Sequence, residues 1–471
     1  MPLNQKFSIP ASNAAKMINP VTRRSFLKGS AAVSAAVALS GNALHPQDSS
    51  PKAVFYLPPF LARPTENSIF ISVLTNDKPV EAILEYRRQS DESWQRLDPP
   101  EKAPEFQFLN WDLKDLLPET RYSYRILAKR ASESDLESAA KGSFITQRKS
   151  PASYTAVLIT DPHTGTFAED SGPVLTLDKV IENASKEKAE FVLALGDNVA
   201  WNGSREYAQT NTQGAVGAYA MYRSHIGPLT QSCPHFGIIG NWAGESGKFP
   251  EQNIRLVTQI RQAFLPNPNE TTYPQGGNKW EDYYAFSWGD VLYVMLNIQT
   301  YSEPSDLGGM DSLSSDVSRV EDWTIGQEQM AWLKNTLQNA TESYRFVCMH
   351  HPAGGNAGNP HDTLYGRGGA RCWNSGEQLK IHNLMKQHGV QVFFYGHDHV
   401  FVDDVVDDIH YTLPGSCGAP WKFTKEETGY ERYWPDSGHA RLEVTPEKAT
   451  VTFVNLEGED FYDFSVSPIK T

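Results

Sequence analysis

Seven residues with the chemistry of metal ligands stand at the ends of short apolar runs: Asp161, His163, Asp197, Asn241, His350, His397 and His399. Val392-Phe393-Phe394-Tyr395 runs into Gly396-His397-Asp398-His399. Residues 154–160 run into Asp161-Pro162-His163. Residues 191–195 end in Gly196-Asp197, residues 236–239 in Gly240-Asn241, and residues 344–349 in His350-His351-Pro352. Any one of these endings reads equally well as a polar turn with a solvated side chain. Five of them, each carrying a nitrogen or oxygen donor, point to one shared site.

The elements that must position these residues can be read around them. The runs are short and rich in β-branched and aromatic residues, so they read as buried strands. Residues two apart in an extended chain point the same way, so His397 and His399 reach one place. In α/β sheets, ligands gather at the carboxyl ends of strands. Between the runs, the spacing predicts helices over 174–184, near 219–226, over 253–264, and around Leu379, Leu384 and Met385, stopped by Gly389. Residues 283–287 and 291–298 read as adjacent strands joined across Gly289-Asp290. Residues 409–413 and 440–455 read as strands closing a second sheet, and 301–323 as a polar surface loop.

In this order, Asp-x-His, Gly-Asp, Gly-Asn, His-x-Pro and Gly-His-x-His resemble the calcineurin-like metallophosphoesterase superfamily, over roughly residues 150–417. The resemblance is to its purple acid phosphatase-like branch. It implies an α/β fold, a two-sheet β-sandwich flanked by helices, with a dinuclear metal site. It implies that Asp161, His163 and His399 hold one ion and that Asn241, His350 and His397 hold the other. Asp197 then bridges, since one carboxylate offers an oxygen to each. Two ions about 3.5–4 Å apart activate a water and shield phosphoryl charge. The implied function is hydrolysis of a small phosphate mono- or diester. Nitrogen and oxygen donors without thiolate suit Fe, Mn or Zn. His351 is placed outside the ligand set, because His350 fills the position two before Pro352 and His351 is expected to face the other way along the strand.

Two positions depart from the branch. The Tyr that follows the bridging Asp by three is Ala200 here, which implies no tyrosinate–iron colour. The His after the metal-binding Asn is Trp242. An indole N–H only hydrogen-bonds, so the leaving-group acid must come from elsewhere. The resemblance offers His361, in the Gly-rich loop after His350. Arg367 and Arg371 are candidates for phosphate oxygens, and Trp242 for stacking on an aromatic part of the substrate. The substitution also leaves open a catalytically weakened metal- or phosphate-binding protein.

The chain has 471 residues, enough for more than one domain, and a net charge of −14 from 42 basic and 56 acidic residues. That balance argues against non-specific nucleic-acid binding and against a polybasic membrane patch. Within 1–50, Thr22-Arg23-Arg24-Ser25-Phe26-Leu27-Lys28 precedes an apolar stretch of small residues. This resembles a twin-arginine export signal, implying the twin-arginine machinery as partner and a periplasmic or secreted destination. The stretch is too short to be a stable membrane span. Residues 51–147 show regular strand-like runs, at 70–74, 82–86, 122–127 and 143–146, without helices, which predicts a small all-β sandwich. Its turn Leu116-Leu117-Pro118-Glu119-Thr120-Arg121-Tyr122 resembles that of fibronectin type III domains. An adhesive module is the alternative role for this part. Residues 148–471 form the expected catalytic domain. Cys233, Cys348, Cys372 and Cys417 allow three full pairings, with Cys348 expected as a buried thiol.

Overall fold

The computed structural model describes residues 54–75, 80–97, 108–130, 133–165, 172–200, 212–247, 249–302, 324–351 and 377–469. The leader, most of the loop expected over 301–323, and His361, Arg367, Arg371 and Cys372 lie outside the described residues.

The first unit is all β. Its strands are β1 (Phe55–Ala62), β2 (Ile69–Thr75), β3 (Val80–Arg88), β4 (Gln95–Leu97), β5 (Phe108–Leu113), β6 (Arg121–Arg130) and β7 (Glu137–Ile145). They form sheets ordered β1-β2-β5 and β4-β3-β6-β7. In β6 every second residue is buried, so one face packs on the opposite sheet and the other meets water. The turn before β6 is closed by the Leu117 N–H, which donates to the Tyr122 hydroxyl at 2.9 Å.

The second unit alternates strands and helices: β8 (Tyr154–Ile159), α1 (Gly172–Lys186), β9 (Val192–Ala194), α2 (Thr212–Thr230), β10 (His235–Gly237), α3 (Glu251–Phe264), β11 (Tyr284–Trp288), β12 (Val291–Met295), α4 (Gln327–Gln338), β13 (Tyr344–Cys348), α5 (Gln378–Gln387), β14 (Val392–Phe394), β15 (Phe401–Val406), β16 (Ile409–Pro414), α6 (Lys425–Thr428), β17 (Tyr433–Trp434), β18 (Gly438–Val444), β19 (Ala449–Asn455) and β20 (Asp460–Val466). The expected helices and ligand-bearing strands are all present. Two sheets result, ordered β10-β9-β8-β18-β19-β20 and β11-β12-β13-β14-β16-β15-β17.

The sheets stack face to face because their strands are apolar on both sides. In β8, Ala156 and Leu158 pack between the sheets, while Val157 and Ile159 pack outward under α1 and α2. In β14, Val392 and Phe394 face inward, and Phe393 with the following Tyr395 pack outward under α4 and α5. The layers are therefore helix, sheet, sheet, helix. β8, β9 and β10 run parallel to one another, as do β12, β13, β14 and β16. Parallel strands put their carboxyl ends on one edge, so Asp161, Asp197, Asn241, His350 and His397 are delivered together.

The β-sandwich docks on α2 and α3, the helices outside the first of these two sheets. Leu57, Phe60, Leu74 and Phe108 join the cluster that holds Tyr219, Ile226 and Phe264. Phe108 meets Phe264 edge-on at 5.0 Å, and the Arg223 guanidinium donates to the Ser72 carbonyl at 3.0 Å.

Candidate metal centre

Each strand stops short of its functional residue, and the chain turns sharply there. Asp161, His163, Asp197, His397 and His399 all have left-handed backbones, with φ of 54°, 52°, 48°, 80° and 60°. Such conformations cost of order 1 kcal/mol or more each, and they cluster where side chains must be aimed at a site. Glycine precedes Asp197, Asn241 and His397 because the site is too close for a Cβ. At Gly240 one would lie 2.0 Å from Asp197 Oδ1, and at Gly396 one would lie 2.3 Å from Thr160 Oγ1.

The side chains meet in three overlapping groups: Asp161 with His163 and His399, Asp161 with Asp197 and His350, and His350 with His351 and His397. Within each group the donor atoms lie within 4.8 Å of one another. His163 Nε2 is 3.3 Å from Asp197 Oδ2 and 3.6 Å from Asp161 Oδ1. His399 Nε2 is 3.3 Å from Asp161 Oδ1, and His350 Nε2 is 3.2 Å from Asp197 Oδ2. Asn241 Oδ1 lies 3.0 Å from His350 Nε2 and 2.8 Å from His397 Nδ1. All seven residues are buried.

A second ring of contacts fixes their orientation. His350 Nδ1 is 2.8 Å from the Leu195 carbonyl, and His399 Nδ1 is 2.9 Å from the Trp421 carbonyl. A carbonyl only accepts, so both rings carry hydrogen on Nδ1, which turns Nε2 toward the carboxylates. The other oxygen of Asp161 accepts from the Thr160 hydroxyl and the His397 N–H, and Asp197 Oδ1 accepts from the Trp242 N–H.

The electrostatics suit a cation. Burial, the largest single influence, raises both carboxyls, but the charges and hydrogen bonds of the surrounding histidines together outweigh it, those of His399, His163 and His350 at Asp161 and those of His350 and His163 at Asp197, which falls to about 2. Burial lowers His350, but the Asp197 carboxylate wins and lifts it to about 9. Two carboxylates thus stay charged in a dry place. Asp161 Oδ1, His163 Nε2, Asp197 Oδ2 and His397 Nε2 have no hydrogen-bond partner. Buried carboxylate and imidazole atoms crowded together without hydrogen-bond partners are reconciled by a bound cation, so this donor set fits a metal site.

Ala200 is buried and Trp242 is half-buried beside His163. One expectation is corrected. His351 does not face away: its ring lies on that of His397 at 4.4 Å and contacts Gln299 at 2.5 Å. β13 ends at Cys348, so strand alternation no longer governs residue 351. Trp421 and Phe423 were invisible to sequence reasoning. They pack on His163, His397 and His399, and a lone aromatic past a strand has no spacing to signal it. Cys233, Cys348 and Cys417 are buried free thiols, which rules out a full pairing of the four cysteines.

The calcineurin-like phosphoesterase profile matches residues 154–401, more than half of the chain and all of the strand endings described above. The chain belongs to the calcineurin-like phosphoesterase family. Among relatives of this phosphoesterase are the tartrate-resistant acid phosphatases type 5 of Oryctolagus cuniculus and Homo sapiens. Each is 24% identical, over 299 and 306 residues, covering 58% of this chain and 78% of the relative. Its fold resembles that of the purple acid phosphatase PPD1 of yellow lupin (Lupinus luteus), with a TM-score of 0.60 at 16% identity, over 87% of this chain and 74% of that one. It also resembles PhoD, with a TM-score of 0.63 at 16% identity, over 90% and 91%. A twin-arginine translocation signal matches residues 20–40, which addresses this phosphoesterase to the periplasm or the extracellular space. Among the described residues, no helix is long and apolar enough to cross a membrane.

Proposed function

We propose that this protein is an exported dinuclear-metal phosphoesterase that hydrolyses small phosphate mono- or diesters. The observation carrying this reading is the set of buried, unpartnered polar atoms on Asp161, His163, Asp197 and His397 at one edge of two sheets. In this reading Asp161, His163 and His399 hold one ion, Asn241, His350 and His397 hold the other, and Asp197 serves both. Iron, manganese and zinc suit such donors. When bound, the ions supply Lewis-acid shielding of phosphoryl charge and a lowered pKa for water.

The chain's own contribution is positional. The carbonyls of Leu195 and Trp421 hold two imidazoles in the tautomer that presents Nε2. The Trp242 N–H and the Thr160 hydroxyl hold the two carboxylates. His361 is the candidate for protonating the leaving group, and Arg367 and Arg371 for binding phosphate oxygens. These three assignments rest on the sequence. Residues 51–147, a fibronectin type III-like sandwich in this reading, brace the catalytic domain, residues 148–471. Residues 1–50 are the export leader.

The relatives' designation as acid phosphatases makes a phosphate monoester the first substrate to try. Protein isolated with its metals is expected to contain about two ions per chain and to turn over p-nitrophenyl phosphate. Stripping the metals should abolish turnover and re-addition should restore it. Full activity in stripped protein overturns the reading. Trp242, in place of a His, favours a second one: metal and phosphate binding without turnover, which the same experiment would reveal.

A further inference from the structure

Among the described residues, three aromatic side chains pack on the histidines of the site. Trp242 and Trp421 lie 5.7 and 5.1 Å from the ring of His163, and Phe423 lies 6.0 Å from those of both His397 and His399. Trp421 is 38% exposed, and Trp242 and Phe423 are half-buried.

Both indoles are fixed to the metal-site residues through their own peptide units. The Trp242 N–H donates to Asp197 Oδ1 at 2.8 Å, and the Trp421 carbonyl accepts from His399 Nδ1 at 2.9 Å. The contacts that orient Asp197 and His399 therefore also set the height of each indole above the site. The two rings stand 6.4 Å apart, inclined at 52°. That is a continuous inclined wall, and it is too narrow for a ring to be sandwiched between its members. A flat group lying on it is held beside His163.

We infer that the indoles of Trp242 and Trp421 form a leaving-group subsite selecting phosphate esters whose alcohol carries a planar aromatic system. This rests on the phosphoesterase reading above and adds the substrate class. Aryl and nucleobase groups share the required π-face.

The test uses ester pairs matched in leaving-group chemistry: benzyl against cyclohexylmethyl phosphate, and adenosine 5′-monophosphate against ribose 5-phosphate. The metal-loaded protein should favour the aromatic member of at least one pair by about 2- to 10-fold in kcat/KM. The pair showing the larger ratio identifies an aryl or a nucleobase substrate. Trp421→Ala should erase the ratio and Trp421→Phe should retain most of it, with metal content unchanged. Binding of benzylphosphonate against cyclohexylmethylphosphonate, followed by tryptophan fluorescence, should show the same discrimination without turnover. Equal kcat/KM and equal phosphonate affinity in the unmodified protein overturn the inference. So does a preference that survives both Trp242→Ala and Trp421→Ala. Phosphonate discrimination without any ester turnover upholds the subsite and overturns the phosphoesterase reading, so the two failures are distinct.

Discussion

At the scale of single residues, the site is defined by what its atoms lack. Asp197 has one oxygen tied to the Trp242 N–H and the other facing His163 and His350. In the proposed dinuclear reading it serves both ions, so Asp197→Ala should lower metal content from about two to below one per chain, measured by elemental analysis. A variant that keeps both ions would remove the bridging role. Gly396 offers a subtler probe, since it carries no donor. A Cβ there would lie 2.3 Å from Thr160 Oγ1 and 2.9 Å from both Asp161 Oδ2 and His350 Nδ1. Gly396→Ala should therefore push Asp161 and His350 apart, at a cost of about 1–3 kcal/mol. The expected outcome is a folded protein with reduced metal content and a lower denaturation midpoint. Unchanged metal content would show that the site yields easily.

At the scale of elements, the parallel strands are short, and their hold on the site comes from packing between the sheets. Phe191, just before β9, is the hub: Tyr154, Phe236, Phe286, Trp288 and Tyr293 surround it with ring centroids 5.1–5.8 Å away. Truncating such a side chain costs about 3–5 kcal/mol. Phe191→Ala should lower stability by that amount in urea unfolding, and Phe191→Leu by clearly less. Equal losses in the two variants would mean that the aromatic contacts, and not side-chain bulk, support β9.

At the scale of the whole molecule, the β-sandwich and the catalytic domain share one apolar cluster, and a buried histidine sits within that junction. His235 packs its ring 5.2 Å from Phe60 of the sandwich and 3.0 Å from the Tyr222 hydroxyl, with Nδ1 unpartnered. Burial, and then the neighbouring Arg223 charge, push its pKa down to about 3. The unfolded chain binds a proton near pH 6.5, while the native one stays neutral to much lower pH. The native state is therefore favoured above pH 6.5, and this stability is lost as pH falls from there toward 3. The slope is about 1.4 kcal/mol per pH unit. Between pH 7 and 5, the unmodified protein should lose about 2 kcal/mol more than His235→Gln does, read from denaturant midpoints. Parallel pH profiles would place the acid sensitivity elsewhere.

The sequence by itself determined where the strands end and what chemistry stands there. Short apolar runs and the polar residues that stop them are local features, and β8, β9, β10, β13 and β14 form where the runs lie. Six other strands, β1, β4, β5, β15, β17 and β20, were not legible, four of them for reasons particular to each. β1 contains Pro58 and Pro59, which argue against a strand unless it is an edge, as it is here. β5 is interrupted by Asn110 and Asp112, and β20 by its acidic residues. β15 carries Asp403 and Asp404 into the interior. Asp403 is paired there with Arg432 and contacted by His410 and the Tyr462 hydroxyl, from parts of the chain that come later. The fold also decided what surrounds the ligand set. His351 turns onto His397, and Trp421 comes over His163 from 258 residues along the chain. Spacing in one dimension carries no information about such contacts, which depend on sheet order and on the left-handed turns beyond each strand.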